Sequence, residues 1–376
     1  MNIAIWGAGK FGQYIFFQLK TNNDMQVCCF IDSNGQENGQ CQGKEVVSPE
    51  VYMREYASKT DVVLIAFLDG ITILKQLRNL GIKKFGFIHK RVYRLKLPMQ
   101  RILEKDANIL WSDDEELKKP CLETLETNVV DYCNMNCKGC SHFSNLFPKG
   151  SGIPFDIFER DIKQLSKKVF VSQFNLLGGE VFLSDRLMDY IACLKKYMPK
   201  TKIELVSNGV LIPRQQKKVL ECIRENEVTI SITEYPPTSV VLAKIIDTLD
   251  QNHIMYYVRP LVKTFGKNID LSGNNDPGEA MVSCRESTCQ FLRDGKIYKC
   301  PFSALGNYYF KFFNMPQRSN EGYDIFDENR DWMSLVENIR KKPIALCQYC
   351  GREEQFTWEV SNDPDKNEWL ISNQNG

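Results

Sequence analysis

The sequence predicts an α/β chain in which a small N-terminal Rossmann-like domain, a central partial (βα)6 barrel of the TIM type and an irregular C-terminal region follow one another. Three observations predict it. Short apolar runs alternate with stretches of helical period as far as about residue 265, the pattern of parallel strands joined by helices. That alternation dissolves between residues 93 and 120, which reads as a connector. From 266 onward periodicity fades, and Asn, Gly and Pro accompany five cysteines. The expected parts are therefore 1–92, 93–120, 121–265 and 266–376.

In the first part, the run Ile3 to Trp6 leads into a Gly-rich turn and a helix from about Phe11 to Leu19. A strand from Gln26 to Ile31 ends at Asp32. A third run, Asp61 to Phe67, precedes a helical pattern from Ile71 to Leu80 and a short strand from Phe85 to Ile88. The connector carries a basic stretch, Lys90 to Arg101, and an acidic one, Ser112 to Glu116. The second series has strands near Thr124 to Val130, Gln173 to Leu177, Ile203 to Val206, Val228 to Ile232 and Ile254 to Val258. Helical patterns at Asp156 to Ser166, Ser184 to Lys196, Gln215 to Glu225 and Ser239 to Gln251 separate them. Such a series places its chemistry at the C-terminal ends of the strands.

Composition narrows the function. With 48 basic against 47 acidic side chains there is no electrostatic reason for a nucleic-acid partner. No apolar run reaches the roughly 18 residues of a membrane span. The opening MNIAIWGAGKFG lacks a signal peptide's basic and apolar regions, so a reducing, cytoplasmic setting is expected. There, 14 cysteines point to metal ligands or catalytic thiols rather than disulfides.

Directly after the strand ending at Val130 stand Cys133, Cys137 and Cys140, a C-x3-C-x2-C loop. Three thiolates on one loop can hold three irons of a cubane cluster and leave the fourth without a protein ligand. The alternative is structural zinc completed by His142, although zinc sites favour paired arms from distant positions.

The loop resembles that of the radical S-adenosylmethionine enzymes, and further motifs are similar in order: Gly178-Gly179-Glu180 at the end of the second strand, Ser207-Asn208 at the end of the third. The resemblance implies a 4Fe–4S cluster on Cys133, Cys137 and Cys140. It implies that Gly178, Gly179 and Glu180 bind the methionyl amino group of S-adenosylmethionine, and that Ser207 and Asn208 contact its sulfonium and ribose. The implied chemistry is reductive cleavage to a 5′-deoxyadenosyl radical that abstracts hydrogen from a substrate. A flavodoxin- or ferredoxin-type protein would supply the electron. Two positions depart from the family: Gly139 stands where an adenine-stacking aromatic is common, leaving Phe143 or His142 for that role, and Val181 replaces a common proline.

A second thiol group lies downstream. Asp294-Gly295 is a hairpin signal that would pair Cys289 with Cys300, and Cys347-x2-Cys350 supplies two more thiols. Four ligands close a site, as in an auxiliary cluster or structural zinc. The arrangement resembles the SPASM or twitch domain that carries an auxiliary 4Fe–4S cluster. Cys284 competes for the first ligand place; the hairpin favours Cys289. Cys28, Cys29, Cys193 and Cys222 read as small core hydrophobes, and Cys41 and Cys121 as isolated thiols.

Gly7, Gly9 and Gly12 follow the first strand and open the first helix, with Asp32 about 20 residues further on. These are dinucleotide-fold conditions in a short domain. It resembles the nucleotide-binding domains of enzymes of cell-surface sugar biosynthesis, which implies a nucleotide or nucleotide sugar there. The expected function is oxidation or epimerisation of a sugar, polyol or nucleotide sugar. The alternatives are a peptide-modifying maturase and, in another class, a non-catalytic zinc scaffold. Tyr235 and Arg259, at the ends of the fourth and fifth strands, are the candidate catalytic contacts.

Overall fold

A computed structural model describes residues 1–21, 24–33, 39–98, 108–318 and 321–372. The chain divides into two compact units, 1–123 and 124–376. Arg101, at the end of the basic stretch, lies outside the described residues.

The first unit is built on a seven-stranded sheet in the order β3-β4-β2-β1-β5-β6-β7. Its strands are β1 (Asn2–Trp6), β2 (Gln26–Ile31), β3 (Gly39–Cys41), β4 (Lys44–Val47), β5 (Val62–Ile65), β6 (Phe85–Ile88) and β7 (Ile109–Trp111). The strands β4, β2, β1, β5 and β6 run parallel, while β3 and β7 are antiparallel edges. Every residue of β5 and β6 is buried, as expected of parallel strands covered on both faces. Helix Lys10–Leu19 contributes Phe11, Ile15, Phe16 and Leu19, one helical face, to a core with Ile3, Ile5, Phe30 and Leu64. The stretch expected as a connector is thus partly sheet, because β7 pairs with β6.

The second unit holds an eight-stranded sheet in the order β12-β11-β10-β9-β8-β14-β15-β16. It comprises β8 (Cys121–Val130), β9 (Phe170–Gly178), β10 (Lys202–Ser207), β11 (Thr229–Thr233), β12 (Met255–Arg259), β14 (Phe291–Arg293), β15 (Lys296–Tyr298) and β16 (Gly322–Asp324). Between β12 and β14 runs β13 (Thr264–Ile269), which pairs antiparallel with β17 (Cys350–Thr357) in a separate two-stranded sheet. Strands β9 to β12 are parallel, separated by helices Leu187–Tyr197, Lys217–Glu225 and Pro236–Gln251; helix Phe155–Leu165 precedes β9. The expected six-strand series is corrected to five: the strand after β12 leaves the sheet to pair with β17, and the other edge, beside β8, is taken by a hairpin.

That hairpin has the expected turn. Asp294 and Gly295 both have positive φ, +47° and +76°, the conformation that a tight two-residue turn requires. Phe291 faces Tyr298 across it. Among the described residues no helix is long and apolar enough to cross a membrane.

Candidate active site

The loop after β8 is held from three sides. Asp131 receives a two-pronged ion pair from Arg293, Nη1 to Oδ1 at 3.0 Å and Nη2 to Oδ2 at 2.9 Å, so the β14–β15 hairpin fixes the start of the loop. The end of β9 passes against it: Gly179 N–H donates to the Val130 carbonyl at 2.9 Å, and Glu180 N–H to Tyr132 at 3.2 Å. A Cβ on Gly178 would lie 1.8 Å from the Val130 oxygen, and one on Gly179 2.0 Å from the Tyr132 oxygen. Both glycines are therefore required by this close approach. Within the loop, Asn136 and Gly139 take positive φ, +49° and +62°, and curl the chain so that Cys133, Cys137 and Cys140 share one small space.

The expected residues at the strand ends come together. Glu180 is fully buried, and its carboxylate accepts hydrogen bonds from Ser207 Oγ (2.7 Å), Asn208 N (2.9 Å) and Phe182 N (3.1 Å). Burial nevertheless pushes its pKa up. Asn208 Nδ2 reaches Asn134 Oδ1 at 2.8 Å, which ties the third strand end to the thiol loop. Asp131 and Arg293 were not among the sequence candidates; an isolated Asp and an Arg beside a turn carry no spacing signal.

Desolvation chiefly raises the pKa of Cys133 and Cys137, and the neighbouring thiols add to it, Cys137 and Cys140 acting on Cys133 and Cys140 on Cys137, which is pushed up to about 12. Among the described residues, no three His, Cys, Asp or Glu side chains converge on a single ion. A cubane does not require that, since each thiolate takes a different corner iron. The donor set, three soft thiols on one curled loop, fits such a cluster, whose charge would offset the desolvation that raises Cys133 and Cys137.

His142 and Phe143 do not stand free to stack on a base. Phe143 is buried at 5.3 Å from Tyr309 and 5.8 Å from Trp369, in the aromatic core of the C-terminal region. His142 is bonded to Asn128 Oδ1 at 3.0 Å, and burial lowers its pKa to about 4. At Gly139 itself, an added Cβ would lie 2.8 Å from the Phe356 ring and 2.8 Å from the Glu368 carbonyl.

Tyr235 is brought to the thiol loop: all three thiols raise its pKa, after desolvation, and its ring stands 5.7 Å from Trp358. Arg259 turns across the sheet instead, donating from Nε to Ser231 Oγ at 2.8 Å, with Nη2 3.8 Å from Glu204. Glu204 also accepts from Tyr257 OH at 2.9 Å. Asn175, Glu204 and Thr229 share one register level, and Asn175 reaches Glu126 at 3.4 Å. This face of the sheet is polar where a packed barrel would carry Val, Ile and Leu. Glu126 is 5% exposed, and burial lifts its pKa to about 7.

The second thiol group differs from expectation at one place. Cys350 lies in the field of Cys300, Cys347 and Cys284, and Lys299 feels the same Cys284, Cys300 and Cys347. Cys289 instead has Glu126, Glu286 and Cys300 as its neighbours. The hairpin ladder stops at Phe291 and Tyr298, and Cys300 already caps helix Pro301–Phe312, so the pairing does not extend outward to Cys289. Cys300 thus neighbours both Cys284 and Cys289, but Cys347 and Cys350 have Cys284 and not Cys289 as their neighbour.

In the first unit, Gly7 and Gly12 are needed by packing: a Cβ would meet the Ala66 carbonyl oxygen at 2.8 Å and the Gly7 carbonyl oxygen at 1.8 Å, respectively. A Cβ on Gly9 would meet nothing within 4 Å. Asp32 accepts from Ala8 N–H at 3.3 Å.

Residues 125–234 match the family model described as a 4Fe-4S single cluster domain. No curated protein matches the sequence. Similar solved structures include anSMEcpe with bound AdoMet, at 14% identity over 37% of this chain and 42% of that one, TM-score 0.31. BtrN in complex with AdoMet and 2-DOIA is 15% identical over 61% of this chain and 92% of that one, TM-score 0.37. RSP, a Rex-family repressor, is 22% identical over 24% of this chain and 45% of that one, TM-score 0.21. The chain spans less than half the length of the first of these.

Proposed function

We propose that the chain is a radical S-adenosylmethionine enzyme acting on a small, hydroxyl-rich substrate of the sugar or polyol class, free or nucleotide-linked, by oxidation or epimerisation. The observation that carries this reading is the three-thiol loop, joined at its strand end to Glu180, Ser207 and Asn208 by hydrogen bonds and matched by the 4Fe-4S model. Cys133, Cys137 and Cys140 would hold one cluster. Cys284, Cys300, Cys347 and Cys350 would hold a second, auxiliary one. When bound, the first cluster with S-adenosylmethionine supplies reductive C–S cleavage and hydrogen abstraction from carbon.

The chain's own residues do the rest. Glu180, held by three donors, keeps acceptor capacity for an ammonium group. Tyr235 covers the thiol loop against water. The layer of Glu126, Asn175, Glu204 and Thr229, with Tyr257 and Arg259, offers acceptors and donors for substrate hydroxyls, which supports the polyol class over an apolar substrate. The parallel order β4-β2-β1-β5-β6 and the open space at Gly9 support a Rossmann-like domain that takes a nucleotide or nucleotide sugar. A flavodoxin- or ferredoxin-type reductant completes the scheme.

Anaerobic purification tests it. A brown protein with about eight irons per chain is expected, one that with reductant converts S-adenosylmethionine to methionine and 5′-deoxyadenosine. Replacing Cys133, Cys137 and Cys140 by Ala should abolish that conversion. A colourless protein with one or two zincs would refute the reading. A melting-temperature rise with a peptide and with no nucleotide sugar would refute the substrate class.

A further inference from the structure

The segment after β17 folds onto the thiol loop and contacts it residue by residue. Lys138 N–H donates to the Glu359 carbonyl at 2.9 Å, Ser361 N–H to the Asn136 carbonyl at 2.8 Å, and Cys137 forms a β-bridge with Val360. Glu368 accepts from Gly139 N–H at 3.3 Å, and the Trp369 indole donates to the Cys140 carbonyl at 2.8 Å. At the centre of these contacts the Trp358 indole N–H points at Cys137 Sγ, 3.3 Å away. Its position is fixed independently of that bond: its backbone N–H donates to the Lys263 carbonyl at 3.0 Å, and its ring packs near Tyr235. Cys137 is buried, so water does not compete for the sulfur.

We propose that Trp358 is a positioning residue of the first cluster that raises its reduction potential by donating an indole hydrogen bond to the sulfur of Cys137. The proposal rests on the reading that this loop holds a cluster. Hydrogen bonds to cluster sulfurs and exclusion of solvent are among the main determinants of iron–sulfur potential. A donor on sulfur draws electron density from the thiolate and favours the reduced, more negative state. The effect bears on the step this chemistry finds hardest, delivery of the electron to the cluster. Backbone contacts alone would hold the loop's shape; an indole on sulfur sets its electronics.

The test uses the full chain, reconstituted without oxygen, in an EPR-monitored redox titration that follows the signal perturbed by S-adenosylmethionine. Trp358→Phe keeps an aromatic ring and removes the donor. At the wild-type midpoint its ratio of reduced to oxidised cluster should fall about tenfold, equivalent to 59 mV for a one-electron couple. A fully loaded variant with the wild-type midpoint overturns the proposal and leaves the cluster reading intact. If the variant loads no cluster, the wild type decides: with 15N-labelled tryptophan, ENDOR of the reduced cluster should show a weak indole nitrogen coupling, and its absence overturns the proposal. A wild-type chain that takes up no iron ends both the proposal and the reading beneath it.

Discussion

The two thiol groups are held in opposite ways. Cys133, Cys137 and Cys140 lie on one loop whose shape comes from two positive-φ residues and from strand ends packed against it. The other thiols arrive separately: Cys284 after helix Pro277–Ser283, Cys300 at the cap of helix Pro301–Phe312, Cys347 in a short turn and Cys350 at the start of β17. The first arrangement is local, and on the proposed reading its three thiols would leave a corner of a cubane open. The second is tertiary, and its four thiols would close a site. On that reading a site that must exchange its ligand is built on one loop, while a site that need only be stable is gathered from four places.

The sharpest break of that contrast is at the contested ligand. Cys284→Ala should cost the auxiliary cluster, about four irons per chain by iron assay, while Cys289→Ala keeps them; the reverse result would restore the hairpin pairing. Next comes the tie between the regions. Arg293 sits on the hairpin and pairs with Asp131, whose side chain is 2% exposed. Arg293→Ala leaves that carboxylate buried and unpaired, and should lower unfolding free energy by about 3–5 kcal/mol in denaturant titration. An effect below about 1 kcal/mol would mean that the hairpin does not support the loop.

The smallest effect concerns the polar sheet face. Glu126 has its pKa raised from 4.5 to about 7, chiefly by desolvation. The folded chain therefore binds its proton more tightly than the unfolded one, and this contribution to stability is complete below about pH 4.5 and lost as pH rises through 7. Glu286, also raised to about 7, adds a slope of the same sign. Glu126→Gln should flatten the fall in stability between pH 5 and 8 by on the order of 3 kcal/mol at most, read from denaturant titrations at the two pH values. An unchanged slope would place Glu126 in contact with solvent rather than in a dry layer.

Much of this was legible in the sequence where the signal is local. The long strands and helices follow from apolar period, the hairpin turn from Asp294-Gly295, and the thiol loop from spacing alone. The short edges β3 and β7 were not, since three residues cannot establish a period. Helix Pro301–Phe312 was missed for another reason: it buries Pro301, Phe302, Leu305, Gly306, Tyr309 and Phe310 on one side, but the other side carries Ala304, Tyr308 and Phe312 beside Asn307 and Lys311, so no polar stripe marks it. The hairpin signal ranks Cys289 above Cys284, but both spacings are permitted, and the choice depends on where the ladder stops. The partners of the thiol loop, Trp358, Glu368 and Trp369, stand more than 220 positions away with nothing between to point to them.

That separation has a consequence for the chain while it is being made. The bond between Trp358 and Cys137 spans 221 positions, so at about 5–20 residues per second the ribosome delivers the loop roughly 10–45 s before the segment that covers it. For that interval the three thiols stand without the contacts of that segment. Contacts of such long range also form late in folding. The segment that contacts the loop is thus among the last parts of the chain to reach it.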